Sequence, residues 1–326
     1  MKLIIIGATG LVGTEIIKIL EEKKIKKIKY IFFVASQKST GKEIVFNNKK
    51  HKIITINEAV LIKPQYVLFS AGSKTSLKYA KTFTDLGAVV IDNSSAFRMS
   101  PKIKLIVPEI NGNKITKEDK IIANPNCSTT QLVMALYPIH KKHNIKRVIV
   151  STYQAIVGTG QLALQQLERE EANKEVLEAA YADKIHRNVI PKCDDFNEDG
   201  YTKEEQKIID ETNKILDSAI KITATAVRTP TIGGHGESVN VEFKNPIKVS
   251  EISKLLNQQD GVIVCSGEKY TTPIESKGKD GVFVSRLRRD HSIENGINMW
   301  IVADPLRKGA ATNTVQILER LINLNN

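Results

Sequence analysis

The sequence predicts an α/β protein of two domains, a doubly wound parallel sheet followed by an α+β unit with a mixed sheet. Three observations carry that prediction. Lys2-Leu3-Ile4-Ile5-Ile6 is a short apolar run that breaks into Gly7-Ala8-Thr9-Gly10-Leu11-Val12-Gly13 and then into helical spacing through Leu20. Short apolar strands alternating with helices belong to a sheet buried on both faces. A second junction, Ile121-Ile122-Ala123 followed by Asn124-Pro125-Asn126-Cys127-Ser128-Thr129-Thr130, marks a change of texture. Beyond it the strands alternate in polarity, which suits a mixed sheet covered on one side.

At 326 residues, 41% hydrophobic and 26% charged, the chain has room for two ordinary globular cores. Its three cysteines, at 127, 193 and 265, make neither a disulfide framework nor a metal knuckle, so no metal is expected. The opening apolar run stops at Gly7 without a cleavage pattern, and no run approaches a membrane span. A cytoplasmic, non-membrane protein is the expectation. The net charge of +12 raises the possibility of nucleic acid, but the lysines are scattered and no basic patch is interleaved with aromatics. We expect small anionic substrates and no nucleic acid.

Strand, glycine turn and helix in that order are the setting of a dinucleotide site. Gly7 permits the tight turn, Gly10 a close approach of backbone to pyrophosphate, and Gly13 close packing of helix on strand; Thr9, Leu11 and Val12 complete the loop. The strand Tyr30 to Val34 runs into Ala35-Ser36-Gln37-Lys38-Ser39-Thr40. No acid stands there to hold ribose hydroxyls; Ser36, Lys38 and Ser39 suit a 2′-phosphate, favouring NADP over NAD. A strand from Tyr66 turns through the small residues Ser70-Ala71-Gly72, and Ala88 to Asp92 leads to Asn93-Ser94-Ser95-Ala96-Phe97-Arg98. This first domain is expected to span 1–126, completed by a C-terminal helix at about 307–326.

Pro125 interrupts the chain, Asn126 suits a helix N-cap, and Leu132, Val133, Leu136 and Ile139 keep helical spacing. Cys127 then lies in the first turn. Backbone N–H groups and the positive helix end there favour a thiolate and an oxyanion. A buried structural cysteine is the alternative on local sequence alone. Strands are expected at Arg147–Gln154, Lys221–Arg228, Ser238–Phe243 and Gly281–Arg288, with helices at about 160–182, 203–216 and 250–258, in a catalytic domain of 127–306. His235 falls in a glycine turn between strands, and Glu204 and Lys207 are spaced as an ion pair on a helix face.

Asn124-Pro125-Asn126-Cys127-Ser128-Thr129, Val150-Ser151-Thr152-Tyr153-Gln154-Ala155, Arg228-Thr229-Pro230 with Gly234-His235-Gly236-Glu237-Ser238-Val239, and Arg307-Lys308-Gly309-Ala310-Ala311 resemble the aspartate-semialdehyde dehydrogenase family. The opening glycine loop, Ser94 to Met99 and Val107 to Asn111 look like the same family, so the likeness covers nearly the whole chain. It implies a Rossmann-like domain and NADPH-dependent, reversible reduction of aspartyl β-phosphate, in the biosynthesis of lysine, diaminopimelate, threonine and methionine. By resemblance Cys127 forms a thioester, His235 is the general acid–base and Gln154 orients the intermediate. Arg228 holds the substrate carboxylate and Glu204 its amine; Lys207, Arg98 and Asn126 meet phosphate. Gly158 and Asn313 join the cofactor contacts, and a homodimer is implied through the exposed sheet face. Val157, Gly236 and Pro305 depart from residues common in the family (Ser, Ser and Asn). The readings to be separated are N-acetyl-γ-glutamyl-phosphate reductase, with the same architecture but an acetylated amine, and a non-catalytic paralogue.

Overall fold

The structure is a computed structural model that describes residues 1–324, and it divides into two compact units. One comprises Met1–Pro125 with the segment from Ala310; the other is Asn126–Gly309. In the first unit the chain runs β1 (Lys2–Ile6), α1 (Leu11–Lys23), β2 (Tyr30–Val34), β3 (Glu43–Phe46), β4 (Lys49–Ile54), α2 (Ile56–Leu61), β5 (Tyr66–Phe69), α3 (Ser73–Asp85), β6 (Val89–Asp92), β7 (Lys104–Leu105), α4 (Pro108–Asn111) and β8 (Ile121–Ala123). Its eight-stranded sheet has the order β3-β4-β2-β1-β5-β6-β8-β7 and is parallel except for the β3–β4 hairpin.

Alternation along β1 explains why an unbroken apolar run is needed. Leu3 and Ile5 pack with Ile16, Ile19 and Leu20 of α1 on one face, while Ile4 and Ile6 meet Ala59, Ala80 and Phe83 from α2 and α3 on the other. Both faces are covered, so neither parity of side chain can be polar.

The second unit begins with α5 (Cys127–His143) and β9 (Ile145–Ala155), then α6 (Gln161–Glu171), α7 (Lys203–Ile215), β10 (Lys221–Thr229), β11 (His235–Phe243), α8 (Val249–Asn257), β12 (Val262–Val264), α9 (Pro273–Ser276), β13 (Val282–Asp290) and β14 (Gly296–Ala303). Its sheet order is β10-β9-β11-β14-β13-β12. The outer pairs β10–β9 and β13–β12 are parallel and the inner ones antiparallel, a mixed sheet as expected. Val148, Val150, Thr152 and Gln154 of β9 are buried, whereas Tyr153 between them is exposed, so helices cover one face. A π-helical turn at Arg307–Ala311 precedes α10 (Thr312–Leu324), whose Val315, Leu318 and Leu321 join the α1 side of the first core.

Three sequence expectations are corrected. The helix sought at 160–182 ends at Glu171, because Ala172 caps it and Asn173 turns left-handed at φ 52°. His235 is the first residue of β11, paired with Ala303, and not part of a flexible turn. The β3–β4 hairpin, β12 and β14 were not anticipated; the lysine-rich composition of β4 hides its period. The terminal pair 325–326 of the expected C-terminal segment lies outside the described residues.

Gly13 earns its place by steric necessity: a Cβ there would lie 2.1 Å from the Gly7 carbonyl oxygen, a fixed backbone atom. Gly13→Ala should therefore destabilise the protein by about 1–3 kcal/mol in urea unfolding. An unchanged midpoint would show that α1 can move off β1 freely.

Candidate active site

The first turn of α5 is built by its cap. Asn126 Oδ1 accepts from the Ser128 and Thr129 backbone N–H groups at 2.9 and 3.2 Å. Its amide nitrogen donates to Glu204 Oε1 at 2.9 Å, and its backbone N–H to Glu211 Oε2 at 2.6 Å. Asn126 is therefore the anchor of Cys127, with its side chain engaged at both ends. Behind the cysteine, a Cβ on Gly309 would come within 2.7 Å of Cys127 Cβ. Asp304 shapes that approach, accepting from Leu306 and Arg307 through Oδ1 and from Gly278 through Oδ2. Sequence reasoning missed Glu211 and Gly309. The seven-residue step from Glu204 to Glu211, which keeps one helical face, was the available signal.

Glu204 is the hub of the buried polar cluster. Oε1 receives Asn126 and, at 3.2 Å, Gln154 Nε2; Oε2 lies 3.3 Å from Lys207 Nζ. Burial would raise its carboxyl, but Lys207, Asn126, Arg228 and Gln154 outweigh that and hold it below the usual range, hence ionised. Gln154 also donates to Ser128 Oγ at 3.0 Å, beside the cysteine. Lys207 is drawn down by burial and, more strongly, up by Glu204 and Asp194; its Nζ reaches Asp194 Oδ2 at 2.7 Å. Arg228 is buried, with one terminal nitrogen on the Ala155 carbonyl at 2.9 Å and its Nε without a partner. The residues singled out as Cys127, Asn126, Gln154, Glu204, Lys207, Arg228 and His235 thus share the second unit.

His235 is fully enclosed. Its Nδ1 accepts from the Ala155 backbone N–H at 3.0 Å, and Nε2 has no partner. A neutral imidazole bonded in this way carries its proton on Nε2. Burial and the Arg228 charge hold the ring well below its ordinary pKa, so it is neutral at physiological pH. Gly158 lies over it: a Cβ there would stand 2.9 Å from His235 Nε2 and 3.5 Å from Arg228. Gln131, one turn beyond Cys127, donates to the His235 carbonyl at 3.2 Å and ties α5 to β11.

The first unit carries the dinucleotide elements. Gly7 has φ 86°, and a Cβ on it would be 2.4 Å from the Ser70 carbonyl oxygen, so the turns after β1 and β5 converge. That is the switch point where a doubly wound sheet opens a crevice. Gly10 caps α1 without a side-chain bond and no acid stands in its first turn, which leaves the helix end suited to phosphate. Ser36 and Lys38 are exposed and Ser39 half-buried beyond β2; Ala71 and Gly72 are exposed, and Gly72 caps α3 with φ 80°. Arg98, buried in the loop after β6, donates to the carbonyls of Asn124 and Asn93 at 2.9 and 2.7 Å. Asn313 is enclosed, its amide nitrogen on the Ile106 carbonyl and Asn124 Oδ1. Among the described residues no helix can span a membrane and no cluster of three or more His, Cys, Asp or Glu could hold a metal.

A dinucleotide-type sheet joined to a mixed-sheet unit with a helix-borne cysteine defines a two-domain, nicotinamide-dependent dehydrogenase. The family models for the semialdehyde dehydrogenase NAD binding domain and dimerisation domain match residues 2–118 and 136–308. The chain is 44% identical to "Aspartate-semialdehyde dehydrogenase" of Aquifex aeolicus, with 98% of each chain covered. It is 41% identical to "Aspartate-semialdehyde dehydrogenase 2" of Vibrio cholerae over 98% of this chain and 96% of that one. The crystal structure of aspartate semialdehyde dehydrogenase II from Vibrio cholerae superposes with a TM-score of 0.95 at 40% identity, covering 99% and 98% of the two chains. The chain belongs to the aspartate-semialdehyde dehydrogenase family.

The backbone at Gly236 leaves no room for a side chain. A Cβ on Gly236 would fall 2.4 Å from the ring of Trp300, whose Nε1 is tied to the Thr271 carbonyl at 3.2 Å. Gly236→Ser should destabilise this chain by about 1–3 kcal/mol. Gly236→Ser in a Trp300→Val background should recover most of that loss in urea unfolding; equal losses in both backgrounds would exonerate Trp300.

Proposed function

We propose that this chain catalyses the NADPH-dependent, reversible reduction of aspartyl β-phosphate to aspartate semialdehyde and phosphate through a thioester on Cys127. The observation that carries the choice of substrate is the pair of buried, opposite charges beside one another. Arg228 offers a guanidinium edge to an α-carboxylate, and ionised Glu204 offers an anion to an α-ammonium. An acetylated amine would leave Glu204 facing a neutral amide, which disfavours the acetylglutamyl substrate. The relative from Vibrio cholerae described as complexed with ASA, 39% identical over 99% of this chain, supports the same reading.

The sulfur of Cys127 attacks the acyl carbonyl, the C–S bond forms and phosphate leaves. Gln154, fixed by Ser128 and Glu204, holds the acyl group against the thiol. The glycine turn and open α1 terminus fit a dinucleotide, and Ser36, Lys38 and Ser39 suit the 2′-phosphate of NADP; when bound, the cofactor supplies the hydride. Collapse of the tetrahedral adduct then breaks the C–S bond and returns thiolate.

The hydrogen bonding of His235 narrows its role. With Nδ1 occupied by an N–H donor, Nε2 is a proton donor, suited to stabilising the tetrahedral oxygen and not to deprotonating the thiol. This refines the acid–base expectation. Lys207 and Arg98 are proposed for the phosphate, with Gly158 leaving space for the reacting groups. A homodimer through the exposed face, where the Tyr153 and Trp300 rings meet at a tilt with centroids 5.5 Å apart, agrees with the dimerisation-domain match. The cytoplasm, where thiols are kept reduced, is the compartment proposed for this chain.

The decisive assay is NADP reduction by aspartate semialdehyde. A rate that requires phosphate and vanishes in Cys127→Ala, with NADPH still bound, is expected; preference for the N-acetylglutamyl analogue would overturn the assignment. Because His235 stays neutral, kcat should show no acid limb near its ordinary pKa of about 6.5. A limb there, abolished by His235→Gln, would mean that the imidazole titrates during turnover.

A further inference from the structure

Glu237 is a buried acid that the reaction above does not use. It is fully enclosed and neither carboxyl oxygen has a hydrogen-bond partner. It lies on β11 two residues beyond His235, hence on the same sheet face, directly across from Thr152 of β9 and Ile301 of β14. Thr152 is equally enclosed and its hydroxyl also lacks a partner. From α5, the Gln131 amide faces the carboxyl. Among the described residues no charged side chain on α5, β9 or β14 acts on it.

A carboxylate there would be an unsolvated charge without a counter-ion, which proteins avoid by keeping the proton. Burial accordingly holds the Glu237 carboxyl well above the usual range. The neutral acid has one O–H to donate and a carbonyl to accept. Thr152 supplies a hydroxyl and Gln131 a second N–H, its first being used by the His235 carbonyl. Gln131 stands four residues after Cys127, so whatever fixes its amide fixes the reacting helix against the strand of the imidazole.

We propose that Glu237, as a neutral carboxylic acid set between Gln131 and Thr152, is a positioning residue that locks the strand carrying His235 to the helix carrying Cys127. The inference rests on the catalytic reading above for its effect on rate, and on burial without a counter-ion for its protonation.

The two are tested separately. Above the ordinary glutamate pKa the unfolded chain has lost this proton and the folded chain keeps it, so its contribution to stability falls as pH rises. Relative to Glu237→Gln, the wild-type unfolding constant should therefore grow about tenfold per pH unit from about pH 5 toward the folded-state pKa. Parallel curves would mean an ionised Glu237 and overturn the proposal, whatever the substrate. In turnover, Glu237→Gln should keep kcat within about twofold, while the apolar Glu237→Leu lowers kcat about tenfold with KM and NADPH affinity unchanged. Equal rates in both variants, or equal loss in both, would overturn it. Should Glu237→Leu fail to fold, Gln131→Leu reads the same link: a loss confined to kcat supports it, and an unaltered kcat overturns it. Absence of wild-type turnover would count against the catalytic reading and leave the pH comparison standing.

Discussion

Two carboxylates of one helix hold the end of another, and the site depends on that clasp. Glu204 and Glu211 of α7 take the side-chain and backbone N–H groups of Asn126, which in turn caps α5. Any rotation of α7 would move the first turn and Cys127 with it. α7 is itself seated on the sheet by Glu205, which closes a capping box with Thr202 and accepts from Ala226 of β10 at 2.8 Å. Three carboxylates on one helix therefore do three separate jobs. Only Glu204 also meets Gln154 and Lys207.

Such a cluster is costly to desolvate, and it is tolerated because almost every lone pair is answered. The exceptions are informative. Arg228 Nε and His235 Nε2 are buried and unpartnered, and under the proposed function a substrate would supply the groups they lack. Unsatisfied donors at a site are a form of preorganisation: their hydrogen bonds form only when the ligand arrives. Gly158 keeps the space beside the imidazole open, since a Cβ there would press on His235 Nε2 and touch Arg228.

Much of this was legible in the chain. The apolar run of β1, the glycine spacing and the cap before Cys127 are local patterns whose physics acts within a few residues, and the structure reproduces them. The Glu204–Lys207 pair was visible as helix spacing, although its burial was not. What could not be read are contacts between distant segments: the Gly309 backbone against Cys127, or the Ala155 N–H that sets the proton on His235. The strand placement of His235 was hidden by the glycines around it, because Gly234 and Gly236 read as a turn while they in fact admit Ala303 and Trp300 at close range. Asn126 and Arg98 were placed at phosphate by the family resemblance. Their hydrogen bonds show that each also braces the local backbone.

The glycines around His235 also show how the two faces of one strand are occupied independently. Gly236 faces the open side of the sheet, opposite the side on which His235 and Glu237 are buried. A serine there would have reached outward, toward the position that Trp300 fills in this chain. Glycine leaves that place to an indole that packs at a tilt on Tyr153 and donates to the Thr271 carbonyl. This packing lies on the outer face, with the inner register of β11 untouched: His235 still opposes Ala303 and Glu237 still opposes Thr152. Because strand side chains alternate, an outer-face substitution leaves the catalytic face unchanged so long as the register holds. The Tyr153 and Trp300 rings meet over the intervening β11, on the face away from His235 and Glu237.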